Sequence, residues 1–555
     1  MAEALDAEKG DEPAPQNEKL VIAASSLGTV FEWYDFYLYG LLAVYISQHF
    51  FSAVNETTSF ILALAAFAAG FAVRPFGSLV FGRIGDVVGR KNTFLVTMGL
   101  MGISTFAVGF LPGYETIGIA APIILVGLRL LQGLAVGGEY GGAAVYVAEH
   151  APHGKRGFFT SFIQTTATVG LFISLLLVIG LRSIMGSEEF AEWGWRIPFL
   201  ISIFLLAISM WIRMQLNESP VFQKMKDEGK TSKAPISESF GNWKNLKLVL
   251  IVLFGAVAGQ AVMGYTGQFY TLFYLERILK IDPSDANVLI MIALVIATPF
   301  FVVFGWLSDK IGRKPIVITC MALSALSAFP AFKMLTEYGN PQMAAAVENS
   351  PVLVVANEDE CSFQFDPIGR NTFDNTACDI AKTYLAEGGI NYNNQHVEAG
   401  GAEEVRIGST VIAIPHPERL SDIQKEEAIA SFRTQVQLEL DNAGYPASAD
   451  SEKINRPMVI AVLSFLMILV TGTYGPLAAL LVELFPARIR YTSMSLPYHI
   501  GNGWFGGFLP TLAFAMVAAT GDIFFGLWYP VTIAGITAII GLLFLPENFK
   551  RDIHD

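Results

Sequence analysis

The sequence is short of cysteine, of histidine and of charge. Three of its 555 residues are Cys and seven are His, and they do not fall into a metal-ligand cluster of usable spacing. Asp, Glu, Lys and Arg together make up 15%, against roughly 25% in soluble domains, and that deficit excludes a soluble globular chain. No phosphate-cradling Gly-rich P-loop occurs, so a built-in nucleotide motor is not expected. No basic patch interleaved with aromatics points to nucleic acid. No nucleophile–base constellation points to an enzyme. No cofactor is implied. The first 18 residues are polar and acidic and the first apolar run already has span length, so a cleavable leader is not expected.

What the chain has is apolar length: 53% of it is hydrophobic. A membrane helix needs roughly 20 mainly apolar residues, and twelve such stretches begin near Leu20, Ser59, Asn92, Ile117, Gly157, Trp195, Leu246, Asn287, Pro315, Pro457, Tyr491 and Phe524. A transmembrane β-barrel would instead need short alternating segments.

A loop occurs twice. Gly82-Arg-Ile-Gly-Asp86-Val-Val-Gly89-Arg90-Lys91 and Gly305-Trp-Leu-Ser-Asp309-Lys-Ile-Gly312-Arg313-Lys314 share Gly, Asp, Gly, Arg and Lys at one spacing, 223 residues apart. A second pair follows: Glu149 precedes Arg156 by seven residues, as Glu483 precedes Arg490, now 334 apart. Charged loops repeated once per half between apolar runs mark an internally duplicated membrane transporter. The offset grows by 111 residues, so an insertion of that size lies between Lys314 and Glu483.

Lys and Arg accumulate in short cytoplasmic loops. With a cytoplasmic N-terminus, both repeated loops, Lys155/Arg156, Arg488/Arg490, the Lys-rich central loop and Lys550/Arg551 all fall inside. The expected division is a cytoplasmic tail 1–19, an N-terminal six-helix bundle 20–216, a central cytoplasmic loop 217–245, helices seven to nine over 246–334, an extracytoplasmic cap 335–455, helices ten to twelve over 456–546, and a cytoplasmic tail 547–555. The stretch 336–452 carries 20 acidic and 6 basic residues, so the net charge of −13 resides in the cap.

The cap reads as a small α+β unit. Val352–Val355 and Val405–Ile414 are strand-like, Ile380–Ala386 and Ile423–Leu440 helical. It holds Cys361 and Cys378. Two cysteines outside the membrane in an oxidising compartment favour a disulfide, with two free thiols as the alternative. Cys320 lies within the ninth span and reads as a packed thiol.

Asp86-x-x-Gly89-Arg90-Lys91 resembles the signature of the major facilitator superfamily. The resemblance implies twelve transmembrane helices in two six-helix bundles, an all-α membrane protein with the α+β cap inserted. It also implies a cytoplasmic gate latched in the outward-open state by Asp86, Gly89, Arg90, Asp309, Gly312 and Arg313, with Glu149, Arg156, Glu483 and Arg490. Six further strings in order are Gly28-Thr-Val-Phe-Glu32-Trp33-Tyr34-Asp35, Arg74-Pro75-Phe-Gly77, Arg129-Leu-Leu-Gln132-Gly133, Gly137-Gly138-Glu139-Tyr140, Lys155-Arg156-Gly157 and Trp193-Gly-Trp195-Arg196. Together they are similar to the metabolite:proton symporter family, whose members include permeases for 2-oxoglutarate, citrate, shikimate and proline/betaine.

Ionisable residues inside spans cost at least ~2.5–3.5 kcal/mol each and default to function. Glu32 and Asp35 stand three apart on the first span, roughly on one helix face. Mutual repulsion raises one of two such pKa values, so Asp35, Glu32 and Glu139 are the proton-coupling candidates. A structural salt bridge to Arg74 or Arg129 is the competing role for the first-span pair, an interhelical hydrogen bond that for Glu139. Arg74 and Arg129 suit a carboxylate, or else serve those internal acids. Tyr37, Gln164, Gln260, Tyr265, His499 and Asn502 complete the substrate-binding candidates, with packing as the alternative for each. The expected activity is import of a small organic acid by proton symport, the alternatives being a zwitterion such as proline or betaine, or a transporter-like sensor using the cap. The partners are substrate, proton and lipid bilayer, with no nucleic acid. A monomer in a plasma membrane, such as a Gram-negative inner membrane, is the expected setting.

Overall fold

The computed structural model describes residues 18–52, 56–215, 217–362, 373–398, 400–551 and 553; the side chains of 18–28, 32, most of 56–68, 358, 387, 419, 422 and 518 fall outside the description. Among the described residues ten helices are long and apolar enough to cross a membrane. They are α3 (Arg90–Phe110), α4 (Ala120–His150), α5 (Arg156–Met185), α6 (Gly194–Met214), α7 (Trp243–Ile278), α8 (Pro283–Ile311), α9 (Arg313–Gly339), α10 (Arg456–Leu484), α11 (Ala487–Val517) and α12 (Phe525–Phe544). Two more long helices, α1 (Glu18–Leu41) and α2 (Glu56–Val87), precede them. Helices are the natural outcome, because lipid offers backbone groups no partner outside the helix.

The repeated loops are breaks of one or two residues between helices. Gly89 (φ 136°) separates α2 from α3 and Gly312 (φ 101°) separates α8 from α9. A side chain at that φ is strained, so glycine lets one helix end and the next begin almost at once. These breaks lie on one face of the molecule, the motif face; the cap lies on the other.

Close backbone contact fixes α2 on α4. A Cβ at Gly133 would stand 2.1 Å from the Gly70 carbonyl oxygen, and one at Gly77 2.0 Å from that of Leu134. Small residues permit this approach, and it sets Arg74 and Arg129 on neighbouring helices. Between the bundles, α5 packs on α8 and α2 on α11. Three π-helical turns interrupt α7 (Leu253–Val257, Thr266–Tyr270, Tyr274–Ile278) and one interrupts α11 (Gly501–Gly506). Such turns concentrate at functional sites.

The cap contains β1 (Val352–Ala356), β2 (Tyr392–His396), β3 (Glu404–Ile407) and β4 (Thr410–Ala413) in the order β2-β1-β3-β4. β2 runs parallel to β1; β3 is antiparallel to β1 and to β4. Helices Ala377–Glu387 and Asp422–Asn442 cover the sheet through Ile380, Leu385, Phe432 and Val436. The apolar run 405–414 is folded into a hairpin at Gly408 (φ 56°). β2 was not legible: Tyr-Asn-Asn-Gln-His has little strand propensity, and it is held by the edge that β1 offers. Cys361 and Cys378 form a disulfide that ties the segment after β1 to the first turn of the following helix. Cys320 is free and buried. Helix α9 continues to Gly339, past the expected end at 334. The cap is seated on the C-terminal bundle: the Tyr392 amide donates to Gly521 O (3.0 Å), Asn394 Nδ2 to Thr520 O (2.8 Å) and the Ala449 amide to Lys280 O (2.9 Å).

Candidate functional site

Two deep arginines line one small cavity inside the N-terminal bundle, with room for about one water molecule. Phe36, Phe71, Arg74, Met101, Arg129 and Gln132 are among its walls. Both guanidiniums are buried and lie on aromatic faces. That of Arg74 is 4.2 Å from the Phe71 ring centre and 5.0 Å from Phe36; that of Arg129 is 4.1 Å from Tyr39. Cation–π contact of this kind offsets part of the cost of holding a cation out of water. Arg129 also donates to Gln132, whose amide donates to the Thr105 hydroxyl (2.8 Å), and Thr105 reaches the buried Asp35 carboxylate. A polar chain thus runs from Arg129 to Asp35. The Glu32 side chain lies outside the described residues.

Glu139 is engaged elsewhere. It accepts from Arg213 on α6 at 2.9 Å, with both groups buried. Gln164 donates to the Tyr140 hydroxyl (2.9 Å), and Asn502 turns back to donate to Tyr498 O (3.1 Å). Tyr37 stacks between Trp33 and Phe269. The Tyr265 hydroxyl faces Arg74 across the two bundles. Gln260 Oε1 and both ring nitrogens of His499 have no hydrogen-bond partner among the described residues, although both side chains are buried. Buried polar atoms left open in this way are costly and are suited to a ligand. Below them, the Tyr140 ring of α4 lies flat on Tyr498 of α11, with centres 3.6 Å apart and planes within 4°.

The motif face is shut by a reciprocal arrangement. Asp86 of the first loop accepts from the amides of Tyr491 (3.3 Å) and Thr492 (2.9 Å) at the start of α11. Asp309 of the second accepts from the amides of Gly157 and Phe158 at the start of α5, both at 2.8 Å. Each carboxylate thus caps a helix N-terminus in the opposite bundle, where unpaired amides and the helix dipole favour negative charge. The Glu/Arg repeats also cross over: Arg490 pairs with Glu149 (2.7 Å) and Arg156 with Glu483 (3.7 Å). Arg90 and Arg313 sit behind their aspartates (3.0 and 2.9 Å).

Several partners of these residues went unread. Glu218 accepts from the amides of Arg90 and Lys91, and Glu547 from that of Lys314 (2.8 Å). Each follows the last helix of its bundle within four residues, a repeat that was visible in the sequence. Arg213 and Thr105 carried no comparable signal, and Gln132 stood in one of the six strings without a role of its own.

Two helical bundles, capped by each other's loops and holding buried charged side chains within span-length helices, define an integral membrane protein of the two-bundle transporter class. Residues 20–241 match the family described as "Sugar (and other) transporter", and residues 142–355 the "MFS/sugar transport protein" family. The proline/betaine transporter of Salmonella typhimurium is 39% identical, over 57% of this chain and 64% of its own length, so the match spans less than two thirds of that relative. The alpha-ketoglutarate permease of Escherichia coli is 35% identical, over 60% of this chain and 76% of its own. The inner membrane metabolite transport protein YhjE of Escherichia coli is 37% identical, over 62% and 79%. Among solved structures, the proton:xylose symporter XylE superposes with a TM-score of 0.60 at 15% identity, covering 97% of this chain and 98% of that one, a likeness of fold. The chain belongs to the major facilitator superfamily.

Proposed function

We propose that this protein imports a small organic acid together with a proton by alternating access, the motif face being cytoplasmic. The observation that carries the reading is the cavity shared by Arg74 and Arg129. Two guanidiniums converge there, and Asp35 is linked to one of them through Gln132 and Thr105. Protonation of Asp35 removes a negative charge and leaves the cavity ready for a carboxylate, which Arg can hold by two parallel hydrogen bonds. Substrate and proton then favour each other's binding, which is the thermodynamic basis of symport. His499 and Gln260 supply contacts from the C-terminal bundle.

A zwitterion is the second reading, favoured by the similarity to proline/betaine transporters. A quaternary ammonium seeks free aromatic faces. The faces of Phe36, Phe71 and Tyr39 nearest the cavity are already covered by the two arginines, and this places the acid first.

The test is uptake into proteoliposomes under an inward proton gradient. Labelled dicarboxylates, citrate, 2-oxoglutarate, shikimate, proline and betaine are compared with and without a protonophore. An acid that accumulates in the parent, collapses with the protonophore, and exchanges but no longer accumulates in Asp35→Asn supports the proposal. Accumulation of betaine alone, or unchanged accumulation in Asp35→Asn, overturns it.

A further inference from the structure

We infer that the segment after α12, described at 547–551 and 553, forms a strap that holds the motif face shut and must let go of one bundle each time that face opens. The segment leaves α12 and crosses to the seam between the bundles. Glu547 caps the start of α9. A turn follows, with the Arg551 amide donating to Asn548 O (2.8 Å). The Arg551 side chain reaches the carbonyls of Glu483 and Leu484 at the end of α10 (3.4 Å each).

Backbone carbonyls of the segment then bind both arginines of the Glu/Arg repeats. Arg156, on α5 of the N-terminal bundle, donates to Arg551 O at 2.7 Å. Arg490, on α11 of the C-terminal bundle, donates to Ile553 O at 3.0 Å. The Ile553 side chain is 1% exposed. Its apolar cluster is drawn from both bundles, with Ala144 and Ala148 of α4 on one side and Leu481, Phe485 and Met494 on the other. The described residues of this segment thus reach the seam and accept a hydrogen bond from one guanidinium on each side of it.

Arg156 and Arg490 belong to bodies that must separate for the motif face to open. A segment of this length, anchored to α9 and α10, cannot follow both. The contact that yields is the one to the N-terminal bundle: Arg156 to Arg551 O, with α4 parting from the apolar cluster that holds Ile553. The strap's contacts to the N-terminal bundle therefore stabilise the shut state alone, while those to the C-terminal bundle are common to both states, so the strap biases the equilibrium between the two.

The experiment places spin labels at Val88→Cys and Ile311→Cys, exposed positions in the two repeated loops, in the full chain carrying Cys320→Ser. Inter-label distances are measured in nanodiscs by pulsed electron resonance. Ile553→Asp, and separately removal of residues 548–555, should raise the long-distance population at least threefold, while Ile553→Leu should not. Thermal melting and a monodisperse elution profile establish that each variant is folded. An unchanged distribution in both folded disruptive variants overturns the strap. A melting loss shared by Ile553→Asp and the truncation, with no new distance, overturns it too and makes Ile553 a packing residue. No substrate is added, so the outcome is independent of the organic-acid reading.

Discussion

The carboxylate of Asp309, on α8, accepts from the amides of Gly157 and Phe158, on α5, at 2.8 Å each. Asp86 does the same for Tyr491 and Thr492 of α11. These four amides are the free N-terminal donors of helices in the opposite bundle, so each is protected only while the motif face is shut. Asp309→Asn keeps the shape and removes the charge. A negative charge at a helix N-terminus is worth about 0.3–1 kcal/mol, and up to about 2 kcal/mol where partly buried, so opening should become a few-fold more frequent. Hydrogen exchange at 156–160 should accelerate in Asp309→Asn, and at 490–494 in Asp86→Asn. Protection equal to the parent in both would refute the latch.

The pair of Glu149 and Arg490 is buried and spans the bundles at 2.7 Å. Removing one member of a buried pair costs about 3–5 kcal/mol, because the other is left uncompensated. Glu149→Gln should lower the melting temperature clearly, and the exchanged variant Glu149→Arg/Arg490→Glu should regain most of the loss. An equal loss in the exchanged variant would show that the surrounding carbonyls, and not the pair, set the stability.

Glu139 and Arg213 are paired within one bundle, at 2.9 Å, with Phe94 3.5 Å from the guanidinium carbon. Arg213→Met alone leaves a carboxylate buried without a counter-charge and should destabilise by several kcal/mol. Glu139→Gln with Arg213→Met should be close to the parent in thermal stability. If that double variant retains proton-driven uptake, Glu139 serves structure and not coupling.

Gly133 meets the Gly70 carbonyl where a Cβ would be 2.1 Å away. Gly133→Val should push α4 from α2, cost at least about 1–3 kcal/mol as overpacking, and displace Arg129 from Arg74. Gly180→Val, where nothing lies within 4 Å, is the control. Uptake and melting temperature should both fall in the first and stay near the parent in the second.

The disulfide of Cys361 and Cys378 closes a separation of 17 residues, worth roughly 3 kcal/mol by loop entropy. Cys361→Ser with Cys378→Ser should make the cap sensitive to limited proteolysis between 357 and 380 while the helical bundles stay resistant. Cleavage no faster than in the parent would mean that the sheet alone holds the segment.

Much of the architecture was legible because lipid simplifies the problem. Span length, Gly at the loop breaks and repeated charge follow from the solvent, and a duplicated chain states its motifs twice. The cap was legible where local pattern suffices, as in the helix Asp422–Asn442, and illegible at β2, whose strand state comes from its neighbour. The site was legible as a set of expensive residues: Asp35, Arg74, Arg129 and Glu139 each stand in a span and demand a partner. Which partner each takes was not legible, since Arg213 stands 74 positions from Glu139 and no local rule joins them.

By itself the sequence determined the membrane solvent, the twofold repeat, the place of the insertion and the identity of the costly buried charges, because each depends on composition or on spacing along the chain. Only the tertiary structure decided that the Glu/Arg repeats pair crosswise, that Arg74 and Arg129 share one cavity, that His499 and Gln260 are left open, and that Ile553 closes the seam. These are distances across helices remote in the chain, and they are set by packing between bundles, which spacing along one strand of sequence does not encode.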